Sequence, residues 1–345
     1  MCKLFVPGRK FVIFVSLLFT LSCTSEIDDS LYSISGNTMG TTYSIKIARD
    51  NETKYNTEFE NLKEKIDSIL IVVNQQMSTY IDTSEISLFN KLHSNQWFNV
   101  SPDLAFVIST AKEISQKSSG AFDITIGPLV NLWGFGPELK VYDVPAASEI
   151  EKMKRYVGFH NVSVSIEKSA LMKKIPQIYC DLSAIAKGFG VDKVALYLES
   201  LNVKNYLVEI GGEVRTKGIN KEGKTWQIGI SSPDNNLGIE KIAALKNASM
   251  ATSGDYRNYF EKDNVRYSHT IDPRTGYPIA HRLASVTVIH DSCIVADAFA
   301  TAITVLGPDD GYKLAVKEKL PVFFIIRDEK GFVEKMTPEF QAFLN

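Results

Sequence analysis

Apolar and polar positions change period several times along this chain. From Ser33 to Ala48 the pattern is strand-like, with Thr42, Tyr43, Ile45 and Ile47 alternating or β-branched. Phe59, Leu62, Ile66, Ile69 and Val73 recur at helical spacing and predict an amphipathic helix over about 54–76. Ser101-Pro102-Asp103 is a helix start; Leu104, Val107, Ile108, Ala111 and Ile114 then line one face until Gly120. Residues 137–180 are mixed and predict a surface excursion with short strands. A helix over about 184–200 follows Asp181. Tyr206 to Ile210, Trp226 to Ser231, Ser285 to His290 and Pro321 to Arg327 read as strands. Ala296 to Leu306 and Asp310 to Lys319 read as helices. The elements interleave without regular βαβ spacing, repeat or long linker, so the expected fold is α+β in one continuous unit.

The N-terminus departs from this pattern. Lys3, Arg9 and Lys10 precede an unbroken apolar or small run from Phe11 to Leu21, too short for a comfortable span and fitting a secretory h-region. Cys23 then resembles the lipidation site of bacterial lipoproteins, although Thr20 stands where Leu or Val is usual. Glu26, Asp28 and Asp29 read as a tether. The expected division is a lipoprotein signal peptide at 1–22, a tether at 23–32 and a folded domain at 33–345. The expected location is the periplasmic face of a bacterial inner membrane, held by lipid, with the outer membrane left open.

Composition narrows the functional classes. The chain has 345 residues and a formal net charge of -2, without the basic excess of a nucleic-acid binder. Without Cys2 and Cys23, only Cys180 and Cys293 remain, too few for a disulfide framework. A bridge between these two is left open; two small buried hydrophobes are the favoured reading. The five histidines are scattered, and no zinc-ligand spacing, Rossmann or Walker fingerprint is present.

Two distant segments carry the candidate chemistry. Asp181 to Phe189 and Ala296 to Ala302 each set an acidic residue among small residues at the mouth of an expected helix. Asp297 and Thr301 fall on one helical face. A carboxylate and a hydroxyl together offer hard oxygens, suited to Mg²⁺ or Ca²⁺.

Six ordered segments resemble the ApbE family of FAD:protein FMN transferases. They are Met39-Gly-Thr-Thr-Tyr43; Met77 to Tyr80 with Ser84 to Asn90; Gly120-Ala-Phe-Asp123 with Gly127 to Leu129; Asp181 to Gly188; Glu209-Ile-Gly-Gly-Glu213; and His269 to Gly276 leading to Asp297 and Thr301. The resemblance implies a single domain of mostly antiparallel sheet with packed helices, related to the T-fold. It implies metal-dependent transfer of the FMN half of FAD to a Thr or Ser hydroxyl of an acceptor, with release of AMP. It assigns Mg²⁺, or another hard divalent cation, to Asp297, Thr301 and the backbone carbonyl of Ala184. FAD contacts fall on Met39, Tyr80, Ala121, Phe122, Asp123, Asp181, Lys187 and Ile271. The base is expected at His269, with Asp297 the other catalytic residue, and Asp272 is a candidate for orienting the same loop. Acceptors of this family are subunits of respiratory flavoprotein complexes, of the Na⁺-translocating NADH:quinone reductase or Rnf type. The cofactor residues alone leave two other readings open: an FAD pyrophosphatase giving FMN and AMP, and a non-enzymatic flavin-binding lipoprotein.

Overall fold

The computed structural model describes residues 31–49, 57–137, 143–233, 238–254 and 259–344. The stretch expected as a signal peptide, residues 1–22, and Cys23 lie outside the described residues. No helix among those described is long and apolar enough to cross a membrane.

The strand-like stretch at Ser33 to Ala48 is a hairpin rather than one strand. β1 (Leu31–Thr38) and β2 (Thr41–Ala48) pair antiparallel, with Thr38 opposite Thr41. The chain reverses at Met39 (φ 50) and Gly40 (φ 71), the left-handed pair that a two-residue hairpin loop requires. Gly40 adopts this freely, whereas at Met39 it costs about 1–2 kcal/mol.

α1 (Thr57–Glu60) and α2 (Leu62–Met77) occupy the predicted helix from residue 57 onward. α3 (Glu85–Lys91) and β3 (Phe98–Asn99) precede α4 (Pro102–Lys117), whose Ser101 cap accepts the Leu104 N–H at 3.2 Å. α5 (Gly127–Leu132), α6 (Ala147–Lys154), β4 (Val162–Ser165) and β5 (Ala170–Lys173) lead to α7 (Ala186–Ser200). Seven strands follow: β6 (Tyr206–Ile210), β7 (Glu213–Lys217), β8 (Trp226–Ser231), β9 (Ile239–Leu245), β10 (Ser249–Gly254), β11 (Tyr259–Lys262) and β12 (Val265–Ser268). Then come β13 (Leu283–His290), α8 (Cys293–Lys317), β14 (Val322–Asp328), β15 (Gly331–Met336) and a short 3-10 helix at Pro338–Phe343. α8 breaks at Gly307 (φ 80), just before Pro308, where the sequence separates two helices.

The main sheet has eight strands in the order β1-β2-β6-β7-β10-β13-β14-β15, with antiparallel pairings throughout. Alternation along the strands divides its two faces. Val286, Val288, Val322 and Phe324 join the core under α4 and α8, whereas Ile289, Phe323 and Ile325 pack with β8, β9 and Phe340. A second helical core joins α2 and α7 to β1, β2 and β6.

α7 and α8 clasp each other at their N-termini. Asp192 on α7 accepts from Ser292 Oγ and from the free N–H groups of Cys293 and Ile294 at the start of α8. Asp297 on α8 accepts the N–H of Gly188, in the first turn of α7, at 2.9 Å. Gly188 permits this approach, since a Cβ there would lie 2.5 Å from the Cys293 carbonyl oxygen and 2.8 Å from Asp297 Cβ. Cys180 and Cys293 are both free thiols and fully buried, so the bridge does not form.

Candidate functional site

A cleft of about 760 Å³ opens where the β1–β2 turn, the end of α2 and the start of α7 meet. Met39, Tyr80, Asp181 and Lys187, four of the residues picked from the sequence, line it together. The turn conformation presents Met39, whose Cε would lie 3.0 Å from a Cβ on Gly190 of α7. Asn74 fixes the turn to α2 by donating to Thr38 Oγ1 at 3.0 Å. Ser84 Oγ and Ser87 Oγ both donate to the Ser78 carbonyl, which holds the 78–84 loop and its exposed Tyr80 at the cleft.

Asp181 forms a local turn rather than a helix cap: its Oδ1 accepts the Ser183 N–H at 2.8 Å, and α7 begins only at Ala186. Asn90 clamps the preceding residue by donating to the Cys180 carbonyl and accepting the Cys180 N–H, at 2.8 and 2.7 Å. Ala184 lies half-buried in the turn between Asp181 and α7.

Behind the cleft lies a compact charge cluster. Lys187 Nζ is 2.9 Å from Glu213 Oε1. Burial alone would lower the Lys187 ammonium, but Asp297 and Glu213 outweigh it and hold its pKa above the ordinary value. Burial pushes the Glu213 carboxyl up, assisted by Asp297 and opposed by Lys187. Glu213 and Asp297 thus both act on the Lys187 ammonium in a poorly solvated place, and Glu213 Oε2 is buried with no hydrogen-bond partner. Asp297 itself is buried and Thr301, one turn along α8, is half-buried. Among the described residues no three His, Cys, Asp or Glu side chains cluster for a metal. The chemistry available is one carboxylate, one hydroxyl and backbone carbonyls, a hard-oxygen set that fits Mg²⁺ or Ca²⁺.

Other sequence candidates lie outside this cleft lining. Ala121 and Phe122 are buried, and their N–H groups donate to the Ser118 carbonyl and Ser118 Oγ. Asp123 accepts from the N–H and Oγ1 of Thr125 and the N–H of Phe159, at 2.7–2.8 Å. Ile271 packs with Leu129, Trp133, Ile150 and Phe260. His269 is half-buried, its ring edge-on to Phe135 with centroids 6.4 Å apart. Asp272 clasps the adjoining loop through Arg274, whose Nε and Nη2 donate at 2.9 and 2.7 Å. Sequence reasoning gave no role to the cleft residues Asn74, Ser78, Thr79 and Ser183, or to Glu213 behind it. Ser78, Thr79, Ser183 and Glu213 lie within the segments that carry the family resemblance, so their positions had a signal, whereas Asn74 had none.

Comparison with known proteins places this chain in a family. The family model described as "ApbE family" matches residues 39–324. FAD:protein FMN transferase of Haemophilus influenzae is 44% identical over 335 residues, covering 96% of each chain. The solved structure of flavin transferase ApbE from Vibrio cholerae superposes with a TM-score of 0.83 at 43% identity, covering 91% of this chain and 99% of its own. Apo flavinyl transferase ApbE from Pseudomonas stutzeri gives a TM-score of 0.83 at 38% identity, covering 91% and 96%. Fold and near-full-length sequence similarity agree: this chain belongs to the ApbE family.

Proposed function

We propose that this chain transfers the FMN half of FAD to a Thr or Ser hydroxyl of an acceptor flavoprotein subunit. The observation that carries the reading is the convergence of Met39, Tyr80, Asp181 and Lys187 on one cleft. Its volume of about 760 Å³ falls in the range of small-molecule sites. Met39 and Tyr80 supply apolar surface for a ring system, and Lys187 supplies positive charge for a pyrophosphate. The acceptor oxygen attacks the phosphorus on the FMN side. The bond from that phosphorus to the bridging oxygen breaks, AMP leaves with that oxygen, and a phosphoester remains. His269 receives the hydroxyl proton. Asp297, Thr301 and the Ala184 carbonyl would hold a hard divalent cation, Mg²⁺ or Ca²⁺. Such a cation supplies charge neutralisation on the phosphates when bound.

In this proposal Cys23 carries a lipid and holds the enzyme at the periplasmic face of the inner membrane. Its acceptors there are subunits of respiratory complexes of the Na⁺-translocating NADH:quinone reductase or Rnf type. The test incubates the protein with FAD, Mg²⁺ and an acceptor domain bearing the target Thr, followed by intact-mass spectrometry and nucleotide chromatography. An FMN-sized mass gain with matching AMP, absent in Asp297→Ala, is expected. Free FMN and AMP with an unlabelled acceptor would replace transfer by hydrolysis. Bound, unreacted FAD would favour a binding protein.

A further inference from the structure

The turn between β6 and β7 is built around Lys187. Gly211 and Gly212 adopt φ 60 and 104. A Cβ on Gly211 would lie 3.2 Å from Lys187 Cδ and 2.8 Å from Thr41 Cγ2, so the lysine stem rests against bare backbone. Glu209 Oε1 accepts the Gly212 N–H at 2.7 Å and braces the turn. The next residue, Glu213, meets the lysine ammonium at 2.9 Å. Lys187 lines the cleft and keeps 28% of its side-chain surface, whereas Glu213 stands behind it with 4%.

A free lysine side chain carries about 2 kcal/mol of rotamer entropy. Holding it in advance removes that loss from ligand binding. A buried ion pair is a poor device for stability alone, because desolvation offsets the attraction. A carboxylate serving only the fold would be satisfied as Asp192 is, by four donors including Arg215 Nη1. Glu213 instead leaves Oε2 without a hydrogen-bond partner.

We propose that Glu213 is a positioning residue, which with the Gly211-Gly212 turn holds the Lys187 ammonium in place for the diphosphate of the dinucleotide substrate. The inference rests on the flavin-transfer reading. It separates the parts of the ligand: loss of Glu213 weakens recognition of the diphosphate and spares recognition of the ring.

The test is equilibrium binding of FAD, and of riboflavin, which has no phosphate, to wild type, Glu213→Gln, Lys187→Ala and the double variant. Mg²⁺ is kept constant, and near-ultraviolet circular dichroism checks the fold. Glu213→Gln is expected to bind FAD about tenfold more weakly and riboflavin unchanged. The double variant is expected to bind FAD no worse than Lys187→Ala, because Glu213 acts through the lysine. Glu213→Asp, which keeps the charge on a shorter arm, should fall between wild type and Glu213→Gln. Wild-type FAD affinity in Glu213→Gln, equal losses for both ligands, or additive losses in the double variant would overturn the proposal. Riboflavin binding without FAD binding in wild type would remove the flavin-transfer reading, and this inference with it.

Discussion

Around Asp123, burial raises the pKa of the carboxyl, and three donors from Thr125 and Phe159 answer the charge. Around Glu213, burial again raises the pKa, but one lysine engages one oxygen and the other has no hydrogen-bond partner. Both carboxylates follow glycine-containing turns with positive φ, at Gly120 and at Gly211-Gly212. The first is complete within the fold. The second, under the influence of Asp297, keeps an oxygen without a hydrogen-bond partner close to a cleft. Chain chemistry alone does not distinguish such a pair; hydrogen-bond completeness does.

The contrast can be broken from its satisfied side first. Asp192→Ala removes the acceptor for both α8 N–H groups and leaves Arg215 without its closest partner. A loss of about 3 kcal/mol in urea unfolding is expected; no change would mean that completed carboxylates do not hold this fold.

Lys173 extends the comparison to a buried cation. Its ammonium donates to the carbonyls of Asn90, Leu92 and Pro176, and burial lowers its pKa from 10.5 to about 8. Between these values the unfolded chain binds more protons, so this group's contribution to stability rises with pH across the window. The rise should be about 1–3 kcal/mol between pH 8 and 10.5 and should vanish in Lys173→Met. Equal pH slopes in the two proteins would contradict the assignment.

Asp123→Asn keeps the shape but turns one acceptor into a donor facing donors. A cost of about 1–2 kcal/mol in the same unfolding assay is expected; an unchanged midpoint would remove Asp123 from the satisfied class.

Met39→Gly gives the smallest effect. It relieves the left-handed strain, adding about 0.5–1 kcal/mol, while removing a cleft wall and weakening flavin binding several-fold. A stability loss would show that Met39 packing, not its backbone, dominates.

Much of the architecture was legible because helical periodicity survives in α2 and α4 and a β-branched run in β13, while α8 showed as a stretch of mostly small and apolar residues. The break in α8 was readable from Gly307 and Pro308. β7 was not, since Arg215 and Lys217 make it look solvated; both pair with Glu199 on α7, and Arg215 also with Asp192. β10 was hidden for the opposite reason. Its Ser-Met-Ala-Thr-Ser-Gly run reads as a loop, yet its first three residues are buried in the sheet centre. In the site, the lining residues Met39, Tyr80, Asp181 and Lys187 followed from the family resemblance. The role of Glu213 was not readable, although its motif was, because only the folded β6–β7 turn brings it to its partner Lys187.

The most direct measurement is a crystal structure with FAD and Mg²⁺ bound. The account predicts the diphosphate within hydrogen-bond distance of Lys187, that lysine still on Glu213, and the cation on Asp297 and Thr301. A diphosphate seated instead on the Ala121 to Asp123 turn, with Lys187 making no ligand contact, would contradict it.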